Sequence, residues 1–468
     1  MRGQTRSPRR RLTGAALLLA TVCARDALAA GPDIIVCDIT SVGQFGRVGA
    51  APDGTVGIAI GTLQSNKGDV PLNWQPLPAT THPLIGQNLY RVTVVDGATR
   101  FEQIGQSWLM NSFCPLALST CFACSGSGGP CDPHLWAGCS SSHTSNSQAE
   151  TSNLSPRGKV NPFTGSYASD INSHLGHTHS AIAHRLEVAD ADLQTPGASY
   201  YIEAQIVTPD DAAAGNGTNN ASYRPLAVGA VQPNGVYPLT LPSPAVAELP
   251  AIRAWSTAAQ TDVDPLPGSD GRIIVACEVS PRPGGGWHYE YAIHNLNLAA
   301  AVGSFSVPVG ACAAVTGVGF HAVANHAASE GSPSYANDPW SAVQTPSSIS
   351  WATPETFAVN PNGNALRWGT LDNFRFDSDQ PPVDVSATVG LFAVAGSALV
   401  TVKGPAAAPP VDGDVDGNCL ANTGDVPPFV AVLLGLDGDA GRHARSDLNH
   451  DGSADGGDVQ LFVTAIGL

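Results

Sequence analysis

The chain is poor in charged residues, in aromatic residues and above all in positive charge. Of its 468 residues, 13% are charged and 6% are aromatic, and 22 Lys and Arg stand against 39 Asp and Glu, for a net charge of -17. Because nucleic-acid binding needs clustered basic side chains to neutralise phosphates, this composition argues against nucleic acid as a partner. Beyond the N-terminus the sequence also lacks the roughly 20 consecutive apolar residues of a membrane-spanning helix. We therefore expect no transmembrane segment after signal cleavage.

Residues 1–29 have the pattern of a secretory signal peptide. An apolar run extends from Leu12 to Cys23, and Ala27, Leu28 and Ala29 form a small-residue cleavage site. Five basic residues precede the apolar run: Arg2, Arg6, Arg9, Arg10 and Arg11. The adjacent arginines leave export by the general route or the twin-arginine route open. We expect a secreted bacterial protein, extracellular or associated with the cell surface.

Glycine and proline are abundant, with 50 and 37 copies, which favours turns and short strands over long helices. The predicted fold class is mainly β, with a β-rich N-terminal region, an antiparallel β-sandwich and a small α-helical module at the end. β-like runs such as "TVGIAIGTL" and "YYIEAQIVT" predict a β-rich, cysteine-containing domain over residues 31–250. Further runs predict the sandwich over residues 265–403. A segment rich in Pro and Ala predicts a linker at 404–411, before a module at 412–468.

The run "WHYEYAIHNLN" illustrates the strand pattern within the predicted sandwich. Trp287, Tyr289, Tyr291 and Ile293 alternate with His288, Glu290, Ala292 and His294. In an extended chain these two sets lie on opposite faces, so the pattern predicts a half-buried strand.

Nine cysteines remain once the segment that carries Cys23 is removed. In an oxidising compartment most of them should pair, and one is left over or pairs between chains. Five are clustered in a stretch rich in Ser, Gly and Pro: Cys114, Cys121, Cys124, Cys131 and Cys139. Zinc or redox chemistry at Cys121 and Cys124 is an alternative, but disulfides are favoured. Cys277 and Cys312 lie on separate predicted strands and could join them.

The end of the chain repeats itself at an offset of 33 residues. The following pairs match: Asp414 with Asp447, Asp416 with Asn449, Asn418 with Asp451, Asn422 with Asp455, and Asp425 with Asp458. Apolar residues behind them match as well: Val426 with Val459, Phe429 with Phe462, Val430 with Val463, and Leu433 with Ile466. A solvated acidic tail would show no such matched repeat, so two copies of one structural unit are predicted.

Each copy carries oxygen-bearing side chains at loop positions one, three, five, nine and twelve, and position seven would offer a backbone carbonyl. Loop one comprises Asp414, Asp416, Asn418, Leu420, Asn422 and Asp425; loop two comprises Asp447, Asn449, Asp451, Ser453, Asp455 and Asp458. Six to eight oxygens at flexible geometry suit calcium better than magnesium, so calcium is the predicted cofactor. The apolar residues after each loop recur with the period of an amphipathic helix.

These loops and helices resemble the type I dockerin, a duplicated module of calcium loops and helices. The Asp at the twelfth position of each loop, Asp425 and Asp458, matches the family's F-hand pattern. The resemblance covers the last 57 residues and implies docking to a cohesin-type partner. A purely structural calcium site without such a partner is the alternative, since positions ten and eleven, Thr423-Gly424 and Gly456-Gly457, offer few specific contacts.

Loop one departs from the pattern at position six, where Cys419 replaces the glycine found at Gly452 in loop two. If this position is left-handed, a non-glycine residue there costs about 1 kcal/mol. Pro427 and Pro428 also follow loop one and fit only in the first turn of its helix. These differences predict that loop two binds calcium more tightly.

The long N-terminal part contains further candidates without a decisive motif. Six histidines form the densest group and are weighed as copper or zinc ligands against exposed polar residues: His134, His143, His174, His177, His179 and His184. Five glutamates on predicted strands could supply a pair for glycoside hydrolysis: Glu102, Glu187, Glu203, Glu278 and Glu290. Five tryptophans could stack on sugars, although core packing is favoured for each: Trp255, Trp287, Trp340, Trp351 and Trp368.

Taken together, these patterns predict a secreted modular protein. Its tail would bind calcium and dock to a cohesin-type partner or a cell-surface assembly, and its β domains would have binding or structural roles. The alternative is an extracellular enzyme of polysaccharide breakdown, a glycoside hydrolase with a dockerin-like tail, which would make polysaccharide a partner. No catalytic residue can be assigned from the sequence, because nucleophile-elbow, zinc-protease and phosphate-loop motifs are lacking.

Overall fold

A computed structural model describes residues 1, 30–95, 97–111, 113–126, 128–129, 131–171, 180–326, 334–409 and 411–468. The predicted signal peptide therefore lies almost entirely outside the described residues, as do His174, His177 and His179. Strands account for 39% of the chain and helices for 12%, which confirms the predicted mainly β class. In the part of the chain that is described, no helix has the length and apolar character needed to cross a bilayer.

Among the described residues, thirteen strands lie in the N-terminal part: β1 Ile34–Val48, β2 Thr55–Asn66, β3 Leu72–Asn73, β4 Leu84–Val95, β5 Ala98–Gln106, β6 Leu109–Met110, β7 His134–Leu135, β8 Ser140–His143, β9 Leu154–Ser155, β10 Leu186–Ala189, β11 Ser199–Val207, β12 Ala221–Val228 and β13 Leu239–Thr240. Ten follow in the described remainder of the chain: β14 Ala259–Val263, β15 Ile273–Pro281, β16 Trp287–Asn295, β17 Val302–Pro308, β18 Val315–Ala322, β19 Ser341–Thr345, β20 Ser348–Ala352, β21 Thr370–Ser378, β22 Pro382–Leu391 and β23 Ser397–Pro405.

The helices that the structure describes are short, and half of them belong to the C-terminal module. They are α1 Ser145–Gln148, α2 Asp190–Leu193, α3 Pro209–Ala214, α4 Val426–Leu433, α5 Ala440–Ser446 and α6 Val459–Ala465. Short 3-10 turns add Thr151–Asn153, Arg157–Lys159, Ala251–Ala254 and Thr423–Asp425. This distribution fits a chain rich in glycine and proline, in which regular helices are rarely favoured.

The first β unit contains two main antiparallel sheets. One has the order β1-β2-β10 with β8 on β2, and the other has the order β13-β12-β11-β4-β6-β9 with β5 on β4. Apolar residues of both sheets meet in one core, among them Ile58 and Ile60 of β2, Leu89 of β4 and Ile202 of β11. Each such side chain contributes roughly 1.5–3 kcal/mol on full burial, so this core holds the sheets together.

The second β unit is the predicted antiparallel sandwich. Its sheets have the orders β14-β15-β16-β21-β18 and β19-β20-β17-β22-β23. Tyr291 of β16, Phe374 of β21 and Phe305 of β17 meet between them, with Trp351 stacked on Phe305 at 6.1 Å between ring centroids. Alternation along each strand places these aromatic residues on the inner face.

The two β units pack against each other through a third cluster. Tyr90 and Phe101 of the first unit contact Trp255, Ile274 and Leu371. As a result, the strand β16 is buried on both faces, with Glu290 only 1% exposed. The prediction of a half-buried strand was therefore wrong, because the first unit covers the face that carries the polar residues.

Four disulfides are present among the described residues, and they join Cys37 to Cys121, Cys114 to Cys131, Cys124 to Cys139 and Cys312 to Cys419. Within the described chain one buried thiol, Cys277, stays unpaired, as the odd count predicted. The preference for disulfides over zinc in the cysteine cluster is confirmed. The suggested link between Cys277 and Cys312 is wrong, because Cys312 pairs with the C-terminal module instead.

Candidate metal-binding loops

Loop one spans residues 414–425 and continues into α4; loop two spans residues 447–458 and continues into α6. The helices begin at Val426 and Val459, which preserves the offset of 33. Pro427 and Pro428 lie in the first turn of α4. Proline has no backbone N–H, and this costs little in the first turn because the N–H groups there have no partner within the helix. The connecting helix α5 has no counterpart in the repeat, and the sequence pattern gave no sign of it.

The two loops close through matching hydrogen bonds around their first acid. In loop one, the amide of Asn418 donates to Asp414 Oδ1 at 2.9 Å, and the amide of Cys419 donates to Asp414 Oδ2 at 2.9 Å. In loop two, the amides of Asp451 and Gly452 donate to the two oxygens of Asp447 at 3.1 and 2.8 Å. Each first acid is therefore turned into the interior of its loop.

The acid at position twelve ties the end of each loop back to its beginning. Asp425 accepts from the amides of Asp416 at 3.0 Å and Asn422 at 2.9 Å. Asp458 accepts from Asn449 and Asp455, each at 2.9 Å. Burial tends to raise the pKa of Asp458, but the backbone amides that surround it lower the pKa below 3.8 overall. The side chain is thus stabilised as the carboxylate that a cation would need.

The carboxylates converge most closely in loop one. Oxygens of Asp414, Asp416 and Asp425 all lie within 4.8 Å of one another, and Asp414 and Asp425 are buried. Across residues 411–468, all of them described, no three carboxylates of loop two meet to the same degree. Cys312 and Cys419 also lie near Asp414, but their sulfurs form a disulfide and cannot act as thiolate ligands. Hard carboxylate oxygens at this spacing suit a divalent cation such as calcium.

Backbone strain affects both loops, at different positions. Position six is left-handed in each loop, with φ of 73° at Cys419 and 94° at Gly452. The condition for a strain cost at the non-glycine residue Cys419 is therefore met. Position four is left-handed too, and there loop one has Gly417 whereas loop two has His450, with φ of 60°. Each loop therefore has glycine at one left-handed position and lacks it at the other.

A small core holds the two units of the repeat together. Val415 and Leu448, which occupy position two of each loop, pack with Phe429 and Phe462. The rings of Phe429 and Phe462 stack with centroids 3.9 Å apart. Because the residues of this core are related by the offset of 33, the two units pack as near-equivalents.

The module is attached to the sandwich by more than the chain itself. The disulfide from Cys312 to Cys419 joins the β17–β18 connection to position six of loop one. Residues 404–411, predicted as a linker, begin inside β23, which ends at Pro405. Further along, the amide of Ala408 donates to the carbonyl of Ala311 at 2.8 Å. The disulfide therefore fixes loop one to the sandwich, and the hydrogen bond fixes the preceding segment at the neighbouring residue Ala311.

The described histidines of the N-terminal group do not form a metal site with one another. His134 lies 3.4 Å from Asp132, His143 bonds Ser141 at 2.9 Å, and His184 stacks on Trp108 with centroids 3.7 Å apart. Among the described residues, the groups of three potential ligands that meet all belong to loop one and its disulfide.

The five candidate glutamates are all engaged in polar contacts within the fold. Glu102 pairs with Arg91, Glu187 with His326, Glu203 with Asn88 and Tyr90, Glu278 with Trp255, and Glu290 with Arg100. Four of the tryptophans, Trp255, Trp340, Trp351 and Trp368, are at most 6% exposed. These four tryptophans therefore serve packing, as the sequence favoured, and Trp287 is partly buried against the core of the sandwich.

No protein-family model matches the chain, and no curated protein does either. Among solved structures, the N-terminal domain of the Streptococcus gordonii adhesin Sgo0707 aligns with 82% of this chain and 98% of its own length, at 8% sequence identity and a TM-score of 0.19. A TM-score this low carries no argument about fold or function.

Proposed function

We propose that this is a secreted modular protein whose C-terminal module, residues 412–468, binds calcium through loops one and two. The observation that carries the proposal is the repeated set of inward hydrogen bonds at Asp414 and Asp447, together with the convergence of Asp414, Asp416 and Asp425 within 4.8 Å. Without a cation, the carboxylates of one loop repel each other at this distance. A bound calcium ion would offset that repulsion and use the oxygens as ligands.

We further propose that the calcium-loaded module docks to a cohesin-type partner or a cell-surface assembly, while the β units act in binding or as structure. Exposed apolar residues on the module support a docking role. Side chains that are 42–66% exposed include Val430 and Leu434 near α4 and Val459 and Leu461 on α6. Apolar side chains exposed in this way are available for contact with a partner.

Calcium titration of the mature chain by calorimetry tests the metal sites. We expect about two ions to bind. Asp414→Ala and Asp447→Ala should each remove one, and Asp447→Ala should remove the tighter site if loop two is stronger. Asp412→Ala, at an exposed acid outside the ligand positions, is the matched control. Unchanged stoichiometry in both loop variants would contradict the assignment.

Capture on immobilised cohesin domains tests the docking role separately. We expect capture in calcium, loss of capture in a chelator, and loss of capture when Leu434 and Leu461 are both replaced by Ser. Retained capture in the chelator would argue against calcium-dependent docking, and failure with a panel of cohesins would leave the calcium sites as purely structural.

A further inference from the structure

A cleft of about 650 Å³ lies between the two β units. The segment 158–168 of the first unit forms one wall. The other wall comes from the second unit, with Ala299, Ala301, Tyr335, Arg367 and Trp368. A volume in the range of about 300–1,000 Å³ is usual for a small-ligand site. None of these residues belongs to the calcium loops.

The charge of this cleft is opposite to that of the molecule. The protein has 39 acidic and 22 basic residues, yet the described lining includes the cations Lys159 and Arg367 and no carboxylate. Asp170 lies beside the cleft, where its backbone carbonyl accepts from Lys159 Nζ at 3.2 Å and its carboxylate, 69% exposed, lies 3.9 Å from the same Nζ. Because the overall field repels anions, an anion that binds here must be held by local contacts.

Arg367 is held in place without a carboxylate partner among the described residues. Its Nη2 donates to the carbonyls of Pro361 at 2.8 Å and Gly363 at 3.1 Å, and its guanidinium lies 3.6 Å from the ring centroid of Tyr335. Its Nε is buried and has no hydrogen-bond partner in the described structure. Burial lowers the pKa of this guanidinium, against an opposing effect of Tyr335. A pre-positioned, partly desolvated guanidinium is suited to pairing with a carboxylate.

The rest of the lining is suited to a sugar. Asn161 and Ser166 are exposed at the cleft. The Asn161 oxygen accepts from the amides of Phe163 and Thr164, and the Ser166 hydroxyl bonds to that of Thr164, so the Asn161 amide NH2 and the second bond of the Ser166 hydroxyl can bond to sugar hydroxyls. Tyr335 adds an aromatic surface. Tyr167 and Trp368 are only 8% and 6% exposed, and their polar atoms already donate to the backbone carbonyls of His82 and Arg157. The combination of a cation, a partly exposed aromatic ring and neutral polar groups favours a polar, ring-shaped anion over an apolar ligand.

We propose that this cleft binds a carboxylate-bearing saccharide, such as a chain of uronic acids, with Arg367 as the main carboxylate ligand and Lys159 as a second cation on the facing wall. This role goes beyond the proposed calcium module and does not depend on it.

Calorimetry on the full mature chain, in the presence of a chelator, tests the proposal with galacturonic acid trisaccharide as the probe. The neutral galactose trisaccharide is the matched ligand control. We expect the acidic trisaccharide to bind at least about tenfold more tightly, because one good charge-assisted contact is worth about a factor of ten. Because the chelator removes the calcium function, a failure here is distinguishable from a failure of the calcium module.

Arg367→Gln should weaken binding of the acidic trisaccharide by about tenfold or more. Lys159→Gln, on the opposite wall, gives a second test that does not depend on the packing of Arg367. Lys403→Gln removes a 46% exposed cation that is paired with Asp384 outside the cleft and should leave binding unchanged. Circular dichroism and thermal melting check that each variant is folded.

Three results would overturn the proposal: equal binding of the acidic and neutral trisaccharides, unchanged binding in both cleft variants, or no binding of the acidic trisaccharide at all. Tighter binding of a tri-aspartate peptide than of the trisaccharide would also overturn it, since the cleft would then recognise the charge of a peptide rather than a sugar.

Discussion

Two left-handed backbone positions, four and six, bear on which of the two loops binds calcium more tightly. The expectation that loop two binds more tightly rests on Gly452 at position six, opposite Cys419 in loop one. His450 at position four has φ of 60°, where loop one has Gly417. A non-glycine residue in this region costs about 1 kcal/mol, so the two differences offset each other. The ranking remains a prediction, but backbone strain no longer supports it.

A single buried acid should govern part of the pH dependence of stability. Asp211 is completely buried, and it accepts from the amide of Ile34 at 2.9 Å and from Asn220 at 2.8 Å. Burial raises its pKa from 3.8 to about 7, against the effect of these hydrogen bonds. The folded state therefore binds a proton more tightly than the unfolded state. Protonated Asp211 therefore contributes its full stability to the folded state at low pH, and this contribution is lost as the pH rises towards about 7.

The measurement compares Asp211→Asn with the wild type by urea unfolding at several pH values. Between about pH 4.5 and about pH 6.5, the wild type should lose roughly 1.4 kcal/mol per pH unit relative to the variant, which has no proton to release at this position. Asp384→Asn, at a carboxylate that is 67% exposed, controls for the loss of a formal charge. Parallel pH profiles for wild type and Asp211→Asn would contradict the prediction.

At the scale of elements, periodicity predicted the strands and the two helices after the loops, because each depends on neighbouring residues. The coverage of the second face of β16 was not predictable in the same way. His288, Glu290 and His294 look like a solvent-facing set in the sequence, yet the face that carries them is covered by the first unit, where Glu290 pairs with Arg100. Contacts between units, like the pairing of Cys312 with Cys419 across 107 residues, leave no periodic signal in either partner.

The buried face of β16 contains an ion pair that should matter for stability. Arg100 of β5 contacts Glu290 at 3.0 Å, with side chains 15% and 1% exposed. Arg100→Ala leaves the buried Glu290 with His288, at 3.0 Å, as its remaining partner. We expect the free energy of unfolding to fall by about 3 kcal/mol, because removing one partner of a buried ion pair leaves the other charge poorly compensated.

Urea unfolding at constant pH measures this effect. Lys403→Ala, which breaks an ion pair whose partners are 46% and 67% exposed, should cost less than about 1 kcal/mol. Adding Glu290→Gln to Arg100→Ala should recover part of the loss, since it removes the buried charge that has lost its arginine partner. Equal effects of the two single variants would show that burial does not strengthen the pair between Arg100 and Glu290.

At the scale of the whole molecule, the disulfide between Cys312 and Cys419 should make the module and the sandwich unfold together. We expect the Cys312→Ser, Cys419→Ser double variant to show a separate, earlier melting transition for the module in a chelator, with a loss of about 2–4 kcal/mol. Calorimetric scanning of the full chain detects this separation.

The matched control for this experiment is Cys124→Ser, Cys139→Ser, which removes a disulfide that spans 15 residues within the first unit. It should lower the stability of that unit without releasing the module. One unchanged transition in the Cys312 and Cys419 variant would mean that non-covalent contacts, such as the bond from Ala408 to Ala311, already couple the module to the sandwich.

The same disulfide also sets the route that a pulling force would take. If the docked module is held by its partner while the rest of the protein is dragged by flow, tension does not have to travel through β23 and the residues that follow it. It can cross at Cys419 to Cys312 and enter the sandwich between β17 and β18. The strands from β18 to β23 then lie inside a closed covalent ring and are shielded from the load, so a protein anchored by its tail could lengthen only at points outside that ring.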